Sequence, residues 1–217
     1  MIKLNLDLSS DQALTVLCLG AHSDDIEIGC GGTILRLIDQ HPKCTFHWVV
    51  FSAIGVRKAE ARKAAECFAG PQRLEQLLLK EYRDGFMPFV GAEIKATFED
   101  LKETVSPDLI LTHQRSDAHQ DHRLLSELTW NTFRDNFILE YEIPKYDGDL
   151  GQPSAFIPLE QEICETKIRY LMNAFESQRN KKWFEESTFR SLMRLRGMEC
   201  SAPSGYAEAY YCRKFAL

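Results

Sequence analysis

Short apolar runs rich in β-formers alternate along this chain with segments of helical periodicity, and that alternation restricts the fold more than any other feature. Thr15-Val-Leu-Cys-Leu-Gly20 is continuously apolar and ends in glycine, as a strand buried on both faces would read. Gly31–Gln40 carries apolar residues at helical spacing, and Cys44–Phe51 is again a strand, so the chain opens as β-α-β. Arg57–Phe68 is Ala-rich, has charges at helical spacing and is closed by Gly70-Pro71, which are helix signals. Leu74–Leu79 is a third strand, Ile94–Val105 a helix broken by Ser106-Pro-Asp108, and Leu109–His113 a fourth strand. His122–Phe133 resumes a helix and Phe137–Ile143 a fifth strand.

Strands alternating with helices predict a Rossmann-like α/β fold, a mostly parallel sheet with helices on both faces, because right-handed crossovers leave few other arrangements. With 217 residues and 44% hydrophobic content, one core and a single domain over 1–217 are expected. After the fifth strand comes a stretch rich in Gly and Pro, Pro144–Pro158, of a length that suits a lid or substrate wall. Glu160–Phe175 is an amphipathic helix, and Tyr206–Tyr211 reads as an edge element.

In open sheets of this kind ligands gather at the carboxyl ends of strands where the strand order reverses. In the order 3-2-1-4-5, strands one and four are neighbours and the reversal lies between them. Two clusters able to carry chemistry stand at those two strand ends: Ala21-His-Ser-Asp-Asp25 and His119-Gln-Asp-His-Arg123. His22, Asp25 and His122 supply two nitrogens and one oxygen, a donor set that matches hydrolytic zinc sites with a position left for water. Asp24 beside them is the candidate base, taking a proton from a water whose pKa the cation has lowered; the plain alternative is that it caps the following helix. His119 is a candidate imidazolium that stabilises an oxyanion or protonates a leaving amine, and Asp121 a partner that holds one of the imidazoles in its tautomer.

His113 ends the fourth strand and either lines the pocket or closes the sheet, while Asp117 and Arg123 read as a salt bridge anchoring the loop. Gly29-Cys-Gly31-Gly32 lacks the dinucleotide spacing, no acidic residue closes the second strand, and close helix packing accounts for the glycines. Cys30 is not required as a nucleophile.

The formal charge of −6, with no Lys/Arg block, argues against nucleic acid or an anionic membrane as partner and favours a small-molecule substrate. Met1–Asp7 lacks the features of a leader, and no segment reaches the length of an apolar membrane span. Seven scattered cysteines suit reduced thiols and a cytoplasmic location.

Taken together, the two clusters resemble the signatures of the PIG-L, or LmbE-like, family of metal-dependent N-acetyl-sugar deacetylases. The first signature, A-H-P-D-D followed by Gly-Gly, stands here as Ala21-His-Ser-Asp-Asp25 with Gly31-Gly32, Ser23 replacing the usual proline. The second, H-x-D-H-R, stands as His119-Gln-Asp-His-Arg123, and the likeness extends to Arg57-Lys-Ala-Glu-Ala and to Tyr206-Ala-Glu-Ala-Tyr. The resemblance implies zinc, or another divalent cation, on His22, Asp25 and His122, Asp24 as base, His119 oriented by Asp121, and Arg57 near substrate. It also implies removal of an acetyl group from a 2-acetamido sugar or its conjugate, and a homo-oligomer as one form the chain can take. An amidase of a thiol-sugar conjugate uses the same residues, and a non-catalytic sugar- or nucleotide-binding domain is the reading from another class.

Overall fold

Strand β1 (Thr15–His22) is buried along its whole length after the first residue. Val16 and Cys18 enter one apolar layer while Leu17, Leu19 and Ala21 enter another, as the two-residue period of a strand requires. A strand covered on both faces belongs inside a sheet. The computed structural model describes residues 13–215, so Met1–Asp7 lies outside the described residues.

After β1 come α1 (Asp25–Gln40), β2 (Thr45–Ser52), α2 (Val56–Ala69), β3 (Leu74–Leu79), α3 (Gly91–Thr104) and β4 (Leu109–His113). They are followed by α4 (Gln120–Thr132), β5 (Phe137–Tyr141), β6 (Ala155–Pro158), α5 (Gln161–Ala174), α6 (Glu186–Glu199) and β7 (Ala207–Cys212). The seven strands form one sheet in the order β3-β2-β1-β4-β5-β7-β6. The first five run parallel, and β7 is antiparallel to both β5 and β6. Helices cover both faces: Ile34, Phe68 and Leu171 from α1, α2 and α5 fill one layer, and Ile94, Phe98 and Leu125 from α3 and α4 fill the other. This is the Rossmann-like arrangement expected, with strand order 3-2-1-4-5 over the first five strands. No helix among the described residues is long and apolar enough to cross a membrane.

The second half of the chain departs from its sequence pattern in three places. Tyr206–Tyr211 lies not at the edge but inside the sheet, because β6 forms within the Pro144–Pro158 connection and pairs outside β7. Four residues ending in proline are too short to register as a strand by pattern alone. Helix α6 was not legible either, since Leu195 and Met198 are exposed and blur the apolar stripe that Phe189 and Met193 direct inward.

Helix α1 starts earlier than the apolar spacing indicates, at Asp25, and is broken at Cys30, whose φ of −141° and ψ of 16° are not helical. The break sits where side chains press closely on the helix backbone. A Cβ on Gly29 would stand 2.2 Å from the ring of Tyr141, and one on Gly31 2.5 Å from the ring of Phe68. Past the break, the exposed amides of Gly32 and Thr33 donate to the Glu208 carboxylate at 2.8 and 2.7 Å, a cap supplied by a residue of β7. The break therefore costs no unpaired amide there.

Candidate metal centre

Because β1 and β4 are hydrogen-bonded neighbours, the turn after His22 and the loop after His113 are forced together at the carboxyl edge of the sheet. The first places Asp24 and Asp25 at the start of α1, and the second delivers His119, Asp121 and His122 to the start of α4. All six side chains singled out in the two sequence clusters meet here.

Three of their atoms form a near-equilateral triangle. His22 Nδ1 lies 3.1 Å from His122 Nε2 and 3.2 Å from Asp25 Oδ2, and His122 Nε2 lies 3.4 Å from the same oxygen. Tetrahedral bonds of about 2.0–2.2 Å would set donors about 3.3–3.6 Å apart, so the spacing fits a zinc-type cation. The outward nitrogens have acceptors: His22 Nε2 faces Asp84 Oδ1 at 3.0 Å and Asp121 Oδ2 at 3.3 Å, and His122 Nδ1 faces Asp117 Oδ2 at 2.9 Å. With the ring protons directed outward, both inner nitrogens turn lone pairs toward the centre.

The charge balance agrees. Five carboxylates, of Asp24, Asp25, Asp84, Asp117 and Asp121, crowd the centre against the cations of Arg57 and Lys145. Burial alone would raise the Asp25 carboxyl, yet the imidazoles of His122, His22 and His113 hold it well below the usual range. Burial works against a charged His22, but Asp25, Asp121 and Asp84 outweigh it and push its pKa well up, so the site demands positive charge at this point.

Asp24 stands at the N-cap position of α1, but its side chain makes no capping bond. Its Oδ1 accepts from Arg57 Nη2 at 2.8 Å, while its Oδ2 is buried without a partner among the described residues. Burial raises its pKa and Arg57 opposes the rise. Arg57 is thus part of the site, with a side chain mostly covered and a second carboxylate, Asp84, 3.7 Å from Nη1.

Two assigned partnerships differ from expectation. The Asp121 carboxylate does not turn to His119; it accepts from Gly85 N at 2.7 Å and Met87 N at 3.1 Å and faces His22. His119 instead accepts the Asp121 backbone N–H on Nδ1 at 3.3 Å, as the residue that caps α4. Burial, followed by His122 and His22, lowers the His119 pKa. The ring is therefore neutral with its proton on Nε2, in place of the imidazolium expected. Likewise Asp117 is not paired with Arg123, which donates to the Asp117 and Ala118 carbonyls; the Asp117 carboxylate serves His122 and Lys145.

His113 is buried among these groups but its Nε2 accepts the Ala21 N–H at 3.0 Å, and its ring stacks on His122 with centroids 3.9 Å apart. Burial, with His122 adding to it, lowers its pKa to about 4. It acts as a wedge behind His122. Asp84 and Lys145 were missed in the sequence. Asp84 follows the carboxyl end of β3, the same placement rule that located the two clusters, whereas nothing local marks Lys145. Lys145 reaches Asp117 Oδ1 at 3.0 Å and also pairs with Asp149, whose carboxylate accepts from Ala118 N, so the Pro144–Pro158 segment is tied to the second loop. Cys30 donates to Ile26 O and burial raises its pKa, which removes it as a nucleophile; all seven cysteines are unpaired.

A family model described as GlcNAc-PI de-N-acetylase (PIG-L) matches residues 17–133, which span both clusters. Among solved structures, the N,N'-diacetylchitobiose deacetylase from Pyrococcus horikoshii is similar at 19% identity and a TM-score of 0.69, over 92% of this chain and 83% of that one. A conserved protein from Thermus thermophilus aligns at 17% identity and a TM-score of 0.74, over 94% and 96%. The 4-carboxy-2-hydroxymuconate hydratase from Pseudomonas putida aligns at 16% identity and a TM-score of 0.72, over 94% and 98%. At such identities the likeness establishes the fold; the last of the three is named for a different reaction from the first, so activity has to be argued from the site.

Proposed function

Because the chain belongs to the GlcNAc-PI de-N-acetylase (PIG-L) family, we propose that it is a cation-dependent N-deacetylase that releases acetate and a free amine from a 2-acetamido sugar or sugar conjugate. The observation that carries this reading is the triangle of His22 Nδ1, Asp25 Oδ2 and His122 Nε2, with an unpartnered oxygen of Asp24 buried next to it. These three residues would hold zinc or another divalent cation, which supplies Lewis acidity and a water of lowered pKa.

Asp24 then takes the proton of the attacking water through Oδ2 and returns it to the leaving nitrogen. Burial raises the pKa of this carboxyl, and Arg57 on Oδ1 opposes the rise and holds the base in place. His119, neutral and protonated on Nε2, donates to the carbonyl oxygen as negative charge builds on it. The Asp121 carboxylate braces His22 and the loop after β3, and Asp117 braces His122. Arg57, whose side chain is one-fifth exposed beside Asp24, would also hold substrate hydroxyls. A small-molecule substrate and a cytoplasmic setting suit the net charge of −6 and the unpaired cysteines.

A panel of N-acetylated sugars and sugar conjugates, assayed for acetate and for primary amine with and without a chelator, tests this. Equimolar acetate and amine from at least one substrate, lost on chelation and restored by zinc, is the expected result. Activity that survives chelation, with no cation in the protein, would remove the proposal.

A further inference from the structure

The proposed reaction gives no task to the first half of the Pro144–Pro158 connection, yet charged side chains hold that half at two levels. At its base, Arg196 of α6 bridges the chain going out and the chain coming back. It donates to the Glu142 carboxylate at 2.7 and 2.9 Å and to Gly151 O at 3.1 Å. Both side chains of this pair are buried, 4% and 3% exposed. Further out, Lys145 and Asp149 pair with each other and fasten to the loop that leads into α4. Lys145 reaches Asp117 Oδ1 at 3.0 Å, and the Asp149 carboxylate accepts from Ala118 N at 2.6 Å. Gln114 Nε2 adds a bond to Asp149 O at 3.3 Å. A loop closed at both levels has lost most of its freedom before any ligand arrives.

Between the two fastened residues only Tyr146, Asp147 and Gly148 project, and Gly148 takes the φ of +62° that lets the chain reverse. Tyr146 is 72% exposed and makes no hydrogen bond or ring contact with another described residue. Its neighbour Lys145 touches the carboxylate that braces His122, and Ala118, held by Asp149, directly precedes His119. The ring therefore stands on a preset turn that is bonded to the very loop carrying His119 and His122. An aromatic side chain on such a mount offers a large contact surface at little cost in entropy, since only two side-chain torsions need fixing.

We infer that Tyr146 is the platform on which the sugar ring of the substrate rests while its acetamido group enters the centre. The inference rests on the deacetylase reading for the identity of the ligand. A pyranose presents C–H groups on one face, which suit the face of the phenol ring, and hydroxyls around its rim, which suit a neighbouring carboxylate. Asp147, exposed next to Tyr146, supplies that carboxylate. Its charge, added to a centre already rich in carboxylates, favours a neutral sugar over an acidic one.

Isothermal titration of N-acetylglucosamine into the zinc-loaded chain, with acetate release from the same sugar measured in parallel, tests this on wild type, Tyr146→Ala and Tyr146→Phe. Removing the ring should weaken binding and raise KM about 3–10-fold, the usual worth of one aromatic contact. The kcat should stay within about twofold, as for a contact made equally in ground and transition states, and the urea midpoint should not move. Tyr146→Phe keeps the ring and should match wild type in binding and in KM. Affinity that is equal in wild type and Tyr146→Ala, or absent from both, overturns the platform. So does a loss in Tyr146→Phe as large as in Tyr146→Ala, which would assign the contact to the hydroxyl. A fall confined to kcat would place the turn behind the brace on His122 and overturns it too. Ring-dependent binding without acetate release from any sugar of the panel removes the deacetylase reading and leaves the platform standing.

Discussion

Two buried charged clusters flank helix α1, and they are built in opposite ways. At the break in α1, Glu208 accepts from Gly32 N, Thr33 N, Thr33 Oγ1, Tyr210 OH and Lys167 Nζ at distances of 2.6–3.0 Å. Lys167 also donates to Ile28 O, so each charge has its counterpart and the network is closed. At the start of α1, carboxylates outnumber cations, Asp24 Oδ2 has no partner, and two imidazoles turn lone pairs toward each other. A satisfied network rigidifies, whereas an unsatisfied one stores a demand for something that is not protein. Substitutions in the two clusters should therefore separate stability from activity.

The largest effect falls on the open cluster. Asp24→Ala should lower turnover by about 10²–10⁴-fold, the usual contribution of a general base, while zinc stoichiometry by dialysis stays at the wild-type value. Stability in urea should stay within about 1 kcal/mol of wild type, in the range of changes that break no closed network. Next, Lys167→Met opens the closed cluster and leaves Glu208 buried without its cation. A loss of about 3–5 kcal/mol in urea denaturation is expected, as for other broken buried pairs, with turnover per folded molecule unaltered. Equal losses of stability from both variants would erase the distinction.

A smaller effect tests the brace behind the triangle. Asp117→Asn keeps the shape but weakens the acceptor of the His122 ring proton, and should loosen zinc about 10–100-fold in a competition titration. Unaltered affinity would mean that His122 is held by packing on His113 alone.

The smallest effect concerns Glu27, fully buried on the first turn of α1, with no partner for its oxygens among the described residues beyond its own backbone amide. Burial, with Asp24 and Asp25 adding to it, pushes its pKa well above the ordinary 4.5. Below that ordinary value both folded and unfolded chains keep the proton and nothing changes. Above it the unfolded chain releases the proton first, so this residue subtracts stability as pH rises, until the folded pKa is passed. Glu27→Gln should thus match wild type near pH 4 and gain on it above, with a slope of at most about 1.4 kcal/mol per pH unit. A gain that does not grow with pH in paired melting curves would assign the residue another state.

Much of this was legible from residue order because the relevant signals are local. Strand runs such as Thr15–Gly20, the helix of Arg57–Phe68 and the two His/Asp clusters are each contained in a short window, and the placement of ligands at strand ends joined them. What escaped notice depends on groups brought from far apart. Lys145 reaching Asp117, the Asp121 carboxylate facing His22, and Glu208 capping Gly32 from the other end of the chain leave no trace in local spacing. The tautomer of His119 was likewise set by a backbone amide, which no side-chain pattern announces.

X-ray absorption at the zinc edge, on chain loaded with one equivalent, tests the central claim most directly. The account predicts two imidazole nitrogens and carboxylate oxygen at about 2.0–2.2 Å, with one imidazole lost in His122→Ala and none lost in Lys167→Met. A zinc shell without imidazole, or one that His122→Ala leaves untouched, would contradict it.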